Sequence, residues 1–262
     1  MVYHAYRCEW NRRGNAKLVL GEEVKATILI SVLDSHEMVR RQILHFEKMN
    51  LPDDVEILFM DDGSRPPLSC NGTTLKNFCI WPTNDFRPWT QPLARNLGAR
   101  MAKGEYLICT DIDFIITKEI VDCVRNTSYD VIRFKREVGI LDENGDLTQD
   151  HDKLVEYGFP RDRIERRGLR LSAHSNSYAI KRELFLKLGG SQKKDSYPNQ
   201  DEIRIKHRIK KLAQSGDIKI IPDDDRPTIY MVPNGRFCGD IDYNPFNLFH
   251  SLSRRGGWKS LG

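Results

Sequence analysis

Apolar runs alternate with amphipathic stretches through the first 116 residues of the chain. "ATILISVLD" (26–34) is short, apolar and β-branched, the make-up of a strand buried on both faces. In the following "SHEMVRRQILHFEKMN", Met38, Ile43, Leu44 and Phe46 keep roughly helical spacing, and Ser35 stands where an N-cap belongs. "VEILFM" (55–60) is a second buried strand, stopped by the Gly and Pro of "DDGSRPP". "FCIW" (78–81) reads as a third strand, and "PLARNLGARMAKG" (92–104) as a helix closed by Gly104 as its C′ residue. A fourth strand opens "YLICTDIDFII" (106–116), an apolar run broken by Asp111 and Asp113.

After residue 117 the pattern loosens. It predicts a helix near 118–125, a strand over "DVIRFKR" (130–136) and a polar, charge-rich stretch to about 170. "SNSYAIKRELFLKLGG" restores a strand and a helix ending at Gly189 and Gly190, "DEIRIKHRIKKLAQSG" (201–216) is a basic helix with a Gly stop, and "IKIIP" (218–222) is a last strand. Strands alternating with helices at this interval predict an α/β fold, with a mainly parallel sheet and helices on both faces. Such sheets bind ligands outside the carboxyl ends of their strands, where the acidic features of this chain fall.

Composition narrows the picture only slightly. A chain of 262 residues can bury a full core without disulfides. The net charge of +4, from 41 basic and 37 acidic residues, is too mild to point to nucleic acid, and no nucleic-acid partner is expected. The six cysteines include no C-x-x-C pair and are expected to be reduced. Neither an apolar leader core nor a run of about 18 apolar residues occurs, so the expectation is a cytoplasmic protein without an integral membrane segment. The basic tail "FNLFHSLSRRGGWKSLG" would give at most weak peripheral contact with an anionic membrane.

The chemistry lies in the carboxylates. On a continuing strand, residues two apart share a face, so Asp111 and Asp113 aim at one point while Ile112 returns to the core. Two carboxylates so placed repel unless a cation lies between them. A hard ion such as Mn²⁺ or Mg²⁺ takes one or two protein carboxylates and completes its shell with water and phosphate oxygens. The same tripeptide recurs at Asp240–Asp242, but between Gly239 and Asn244-Pro245, which reads as a loop. "FMDDGS" delivers Asp61 and Asp62 to a Gly turn where a flat ligand can approach, and Arg95 adds a guanidinium suited to phosphate.

Taken in order, "SVLDSHE", "ILFMDDGS" and "PLARNLGARMAKGEYLICTDID" resemble the family 2 type of glycosyltransferases with the GT-A fold. The resemblance covers residues 26 to about 116. It implies an N-terminal extension (1–25), a sugar-nucleotide-binding half (26–116), an acceptor-binding and catalytic half (117–235) and a basic tail (236–262). By the same resemblance, Leu33, Asp34, Ser35 and Asp62 hold the base of the nucleotide, and Arg95 lies near the nucleotide. Asp111 faces the ribose or a metal-bound water, and Asp113 ligates Mn²⁺ or Mg²⁺ on the diphosphate. The implied partners are a nucleotide-sugar donor, UDP-linked by default, and a glycan or other hydroxyl acceptor. Transfer would proceed with inversion.

An inverting displacement needs a carboxylate to take the acceptor's proton. "GGSQKKDSYPNQDEIRIKHRI" resembles the family's stretch in which a Gly-Gly turn precedes an acidic pair opening a helix. Here the order of the pair is reversed; the resemblance sets Asp201 on the family's Asp as the base, with Glu202 as the alternative. His250 would be a third metal ligand, with Ser251, Arg254 or Arg255 closing over the diphosphate; His174 is a weaker candidate for the acceptor wall, and Trp89 packs. Two rival readings are a non-catalytic sugar-nucleotide-binding module and a haloacid-dehalogenase-type phosphatase with Asp111 as nucleophile.

Overall fold

A computed structural model describes residues 6–10, 16–20, 23–69, 72–84, 91–171, 177–191 and 200–232. A hairpin of β1 (Tyr6–Trp10) and β2 (Ala16–Leu20) comes first. Then β3 (Ala26–Val32), α1 (His36–Met49), β4 (Val55–Asp61), β5 (Phe78–Pro82), α2 (Gln91–Met101) and β6 (Tyr106–Asp111) follow in the order the sequence predicts. β7 (Phe114–Ile115) and α3 (Lys118–Arg125) lead into β8 (Val131–Arg133), β9 (Lys135–Val138) and the small hairpin of β10 (Ile140–Leu141) and β11 (Leu147–Thr148). Next come α4 (His151–Glu156), α5 (Arg161–Arg167), β12 (Arg170–Leu171), β13 (Tyr178–Lys181) and α6 (Arg182–Lys187). α7 (Gln200–Gln214) and β14 (Thr228–Met231) complete the described elements.

The main sheet has the order β5-β4-β3-β6-β13-β8, in which the first four strands are parallel and β13 runs against both its neighbours. Every residue of β3 is buried, because both faces are covered. Ile28, Ile30 and Val32 pack with Met38, Val39 and Phe46 of α1 and with Ile120 and Val124 of α3. On the opposite face Leu29, Leu58 and Met60 meet Ala94 and Ala99 of α2, Phe185 of α6 and Ile205 and Ile209 of α7. Each large side chain withdrawn from water in this way contributes about 1.5–3 kcal/mol. A second sheet, β12-β9-β14-β7, packs into the first of these two cores.

Four local expectations change. Ser35 stands at the N-cap of α1, but its hydroxyl donates to the Leu33 carbonyl at 2.9 Å and makes no capping bond. α2 ends at Met101, so Gly104 is not its C′ residue; a Cβ there would stand 2.5 Å from the Thr27 nitrogen and 2.6 Å from the Ala26 carbonyl carbon. The stretch 130–136 is two strands in two sheets, since β13 offers β8 only three paired positions and the chain turns at buried Phe134. Residues 218–222 make a single parallel bridge, Val131 to Ile220, and the last described strand is β14.

Burial pushes the Cys109 thiol up to about 12, an unreactive core group. Among the described residues no helix is long and apolar enough to cross a membrane. The close approach at Gly104 involves backbone that cannot yield. Gly104→Ala is therefore expected to lower stability by about 2 kcal/mol, read as a shifted urea midpoint with unchanged slope.

Candidate functional site

From β3 the chain moves outward through β4 to β5, then crosses back to place β6 on the other side of β3. The crevice at the carboxyl ends of β3 and β6 is the switch point of the sheet, the place where such folds leave room for a ligand. Three loops meet there: Leu33–Ser35 after β3, Asp61–Ser64 after β4, and the turn at Asp111–Asp113 after β6.

The first two loops are tied together. Asp34 adopts a left-handed backbone with φ of 50°, its N–H donates to Ser64 Oγ at 2.9 Å, and its carboxylate accepts the Arg65 N–H at 2.6 Å. Asp61 folds the D-D-G-S turn on itself: its two carboxylate oxygens accept the N–H groups of Ser64 and Leu68 at 2.8 and 3.0 Å. Asp62 is held at the strand end by its N–H bond to the Val32 carbonyl at 2.8 Å and accepts from the Thr83 hydroxyl at 3.3 Å. The two adjacent aspartates thus have different duties. Asp61 is a structural clasp, and Asp62, 4 % exposed, stands at the mouth of the crevice beyond it.

The D-I-D segment departs from the sequence expectation. β6 ends at Asp111, Ile112 and Asp113 form a turn, and Phe114 begins β7 in the second sheet. Asp111 and Asp113 therefore do not share the face of one strand; they flank a crossing from one sheet to the other, and Ile112 is buried as expected. The carbonyls of this crossing are bound one after another. The Gln42 amide of α1 donates to Ile112 at 3.4 Å and Phe114 at 2.8 Å, the Val232 N–H donates to Asp113 at 2.8 Å, and His45 Nε2 lies 2.9 Å from the Ile116 carbonyl.

Asp111 carries an ion pair: Arg95 Nη2 is 2.7 Å from its Oδ1, and the Gln91 amide donates to the same oxygen. Arg95 is 2 % exposed, so α2 buries a full guanidinium to hold one carboxylate of the pair. Its neighbour Asn96 is used differently. The Asn96 side chain donates to the Ser191 carbonyl and accepts the Ser191 N–H at 2.8 Å, stapling the Gly189-Gly190 turn to α2. Near Asp113 stands Arg136 of β9, whose guanidinium is brought down in pKa by burial, with the charge of Asp113 opposing and that of Arg163 adding to the effect.

Among the described residues, no group of three or more His, Cys, Asp or Glu side chains could hold a metal alone. The donor set at the crossing is two half-buried carboxylates. That suits a hard divalent ion that completes its shell with diphosphate oxygens and water, and it does not suit a closed protein cage.

Asp201 and Glu202 are the second and third residues of α7, which begins at Gln200, one position before the expected helix start. Their side chains, like Trp89, His174, Asp240, Asp242, His250, Ser251, Arg254 and Arg255, lie outside the described residues. Sequence reasoning missed Gln42, Gln91, Ser64 and Arg136. Gln42 alone left a trace, as a polar residue four positions from both Met38 and Phe46 in the buried stripe of α1.

No protein-family model and no curated protein sequence matches the chain. Solved structures do. A mannosyltransferase from Pyrobaculum calidifontis, in complex with GDP-Man and Mn²⁺, is 16 % identical over 91 % of this chain and 70 % of its own, with a TM-score of 0.50. S. aureus TarS 1-349 is 15 % identical over 79 % of this chain, with a TM-score of 0.48, and this chain spans 60 % of that one's length. The same TarS fragment with UDP-GlcNAc is 14 % identical, over 87 % of this chain and 64 % of its own, with a TM-score of 0.49. The likeness to the mannosyltransferase establishes a shared fold: mixed α/β, with a mainly parallel central sheet flanked by helices.

The distinct duties of the paired aspartates are open to a direct check. Asp61→Ala strands two loop N–H groups and is expected to lower stability by roughly 2 kcal/mol, measured by thermal or urea unfolding. A variant as stable as the parent would show that the D-D-G-S turn stands without its clasp.

Proposed function

We propose that the protein is a metal-dependent glycosyltransferase of the GT-A type that moves a sugar from a nucleoside-diphosphate donor, UDP-linked by default, to an acceptor hydroxyl with inversion. The observation that carries this reading is the buried Arg95 paired with Asp111 at the carboxyl end of β6, on the sheet edge where Asp62 follows β4 and Asp113 follows β6. In this reading residues 26–116 hold the donor and residues 117–235 hold the acceptor. The fold shared with a mannosyltransferase that binds GDP-Man and Mn²⁺ agrees with it.

Each residue has a part. Leu33, Asp34, Ser35 and Asp62 hold the base of the nucleotide, Asp62 by accepting its hydrogen bonds. Asp111, oriented by Arg95 and Gln91, faces the ribose or a metal-bound water. Asp113 is the direct ligand of Mn²⁺ or Mg²⁺, and His250 a further one. Bound there, the ion offsets the charge that develops on the departing diphosphate. Asp201, in the first turn of α7, accepts the proton of the acceptor hydroxyl as its oxygen bonds to the anomeric carbon and the carbon–oxygen bond to the diphosphate breaks. Glu202 is the alternative base. A helix N-terminus favours an ionised carboxylate at this position.

The test is a panel of sugar nucleotides with Mn²⁺, assayed for nucleotide binding, donor hydrolysis and transfer. Asp62→Ala and Asp113→Ala are expected to lose donor binding, whereas Asp201→Asn keeps binding and loses about 10²–10⁴-fold in turnover. Full activity in both the Asp201→Asn and Glu202→Gln variants sinks the base assignment. Donor binding without transfer or hydrolysis for any sugar, in the parent itself, makes the chain a binding module. Orthophosphate release from simple phosphomonoesters favours a phosphatase.

A further inference from the structure

Arg136 is buried in β9, beside β14, which in turn pairs with β7 directly after Asp113. Its Nη1 lies 3.7 Å from the Met231 sulfur, and the next residue, Val232, holds the Asp113 carbonyl. The guanidinium is therefore one strand away from the turn that carries Asp113, close enough for the two charges to interact, and the second cation Arg163 adds to the positive field. Arg163 itself lies over the Phe159 ring, 5.4 Å from its centroid. A buried guanidinium next to another cation is unfavourable unless an anion accompanies it. Asp113 is such an anion in the protein alone.

Resting on the donor reading above, we propose that Arg136 is the counter-cation of Asp113 in the ligand-free protein and a cation for the donor's diphosphate once a divalent metal has taken Asp113. Charge bookkeeping supports the exchange. Asp111 and Asp113 bring two negative charges that a divalent ion cancels, and the two further charges of a sugar-linked diphosphate then face Arg95 and Arg136. Metal alone must displace the field of Arg136 from Asp113, so it binds weakly. Metal arriving with the diphosphate leaves Arg136 a new anion, so it binds tightly. Arg136 is thus a positioning residue for Asp113 that makes metal and nucleotide bind cooperatively.

The experiment titrates Mn²⁺ into the full chain, reading free Mn²⁺ by electron paramagnetic resonance, with and without saturating UDP. In Arg136→Met, Mn²⁺ affinity without UDP is expected to rise, and UDP affinity in the presence of Mn²⁺ to fall, each about tenfold, the scale of one unit charge across a few ångströms of protein. Arg136→Lys, which keeps the charge, is expected to stay near the parent in the metal-only titration. Arg163→Gln alters a half-buried side chain and is expected to move both affinities in the same directions by less, which keeps the test usable if the Met variant does not fold. A merely structural role would weaken both affinities together. That outcome, or an unchanged metal-only affinity in Arg136→Met and Arg163→Gln, overturns the proposal. A parent protein that binds Mn²⁺ but not UDP removes the donor reading, while the metal-only titration still decides whether Arg136 opposes metal at Asp113.

Discussion

Between Asp111 and Ile116 the chain leaves the mainly parallel sheet and enters the second sheet through a largely buried turn, so its backbone carbonyls need donors from elsewhere. Those donors come from distant parts of the chain. α1 supplies Gln42 and His45, and the strand end after β14 supplies the Val232 N–H. Each unmade bond in such a place would cost about 1–3 kcal/mol. The crossing can form only when α1 is docked on β3 and β14 is docked on β7, so the position of Asp113 depends on the packing of both sheets.

The same constraint explains the guanidinium under Asp111. Three loops bring carboxylates to one edge of the sheet and concentrate negative charge there. Arg95, held at 2.7 Å from Asp111 and almost wholly buried, offsets part of it. Such a pair adds little net stability over an apolar replacement, but removing one partner alone costs about 3–5 kcal/mol. What the pair provides is a fixed orientation of one carboxylate oxygen, reinforced by Gln91. Asp61 shows the opposite solution: its charge is satisfied by two backbone N–H groups within its own turn.

The first half of the fold was legible because its strands are continuous apolar runs of six or seven residues separated by helices with clear periodicity. Such runs can only be buried on both faces, and the motif residues fall at their carboxyl ends as expected. The second half was not legible to the same degree. Its strands are two to four residues long, and their partners lie far off in sequence, as when β14 joins β9 to β7. A seven-residue run such as 130–136 looks like one strand when read locally. Only the short length of β13 opposite it reveals that it must divide. At the candidate site the positions of the motif residues in the chain were legible, and their geometry was not. Asp62, Asp111 and Asp113 fall just at or beyond the carboxyl ends of β4 and β6, and Arg95 pairs with Asp111, whereas the turn at Ile112, the clasp of Asp61 and the staple of Asn96 follow from tertiary contacts that no local spacing encodes.

That Asp111 and Asp113 stand on two sides of a crossing, and not on one face of a strand, alters how the two halves of the molecule can be coupled. Asp111 ends β6, and its orientation is set by α2. Asp113 precedes β7, and its backbone is set by the strand end after β14. α2 also holds the Gly189-Gly190 turn through Asn96, and α7 packs on the same face of the main sheet through Ile205 and Ile209. A ligand bridging the two aspartates would therefore add a second link between elements already joined by the two-residue turn and its backbone hydrogen bonds. The separation of the two carboxylates is thereby tied to the packing of both sheets and not to the pleat of one strand.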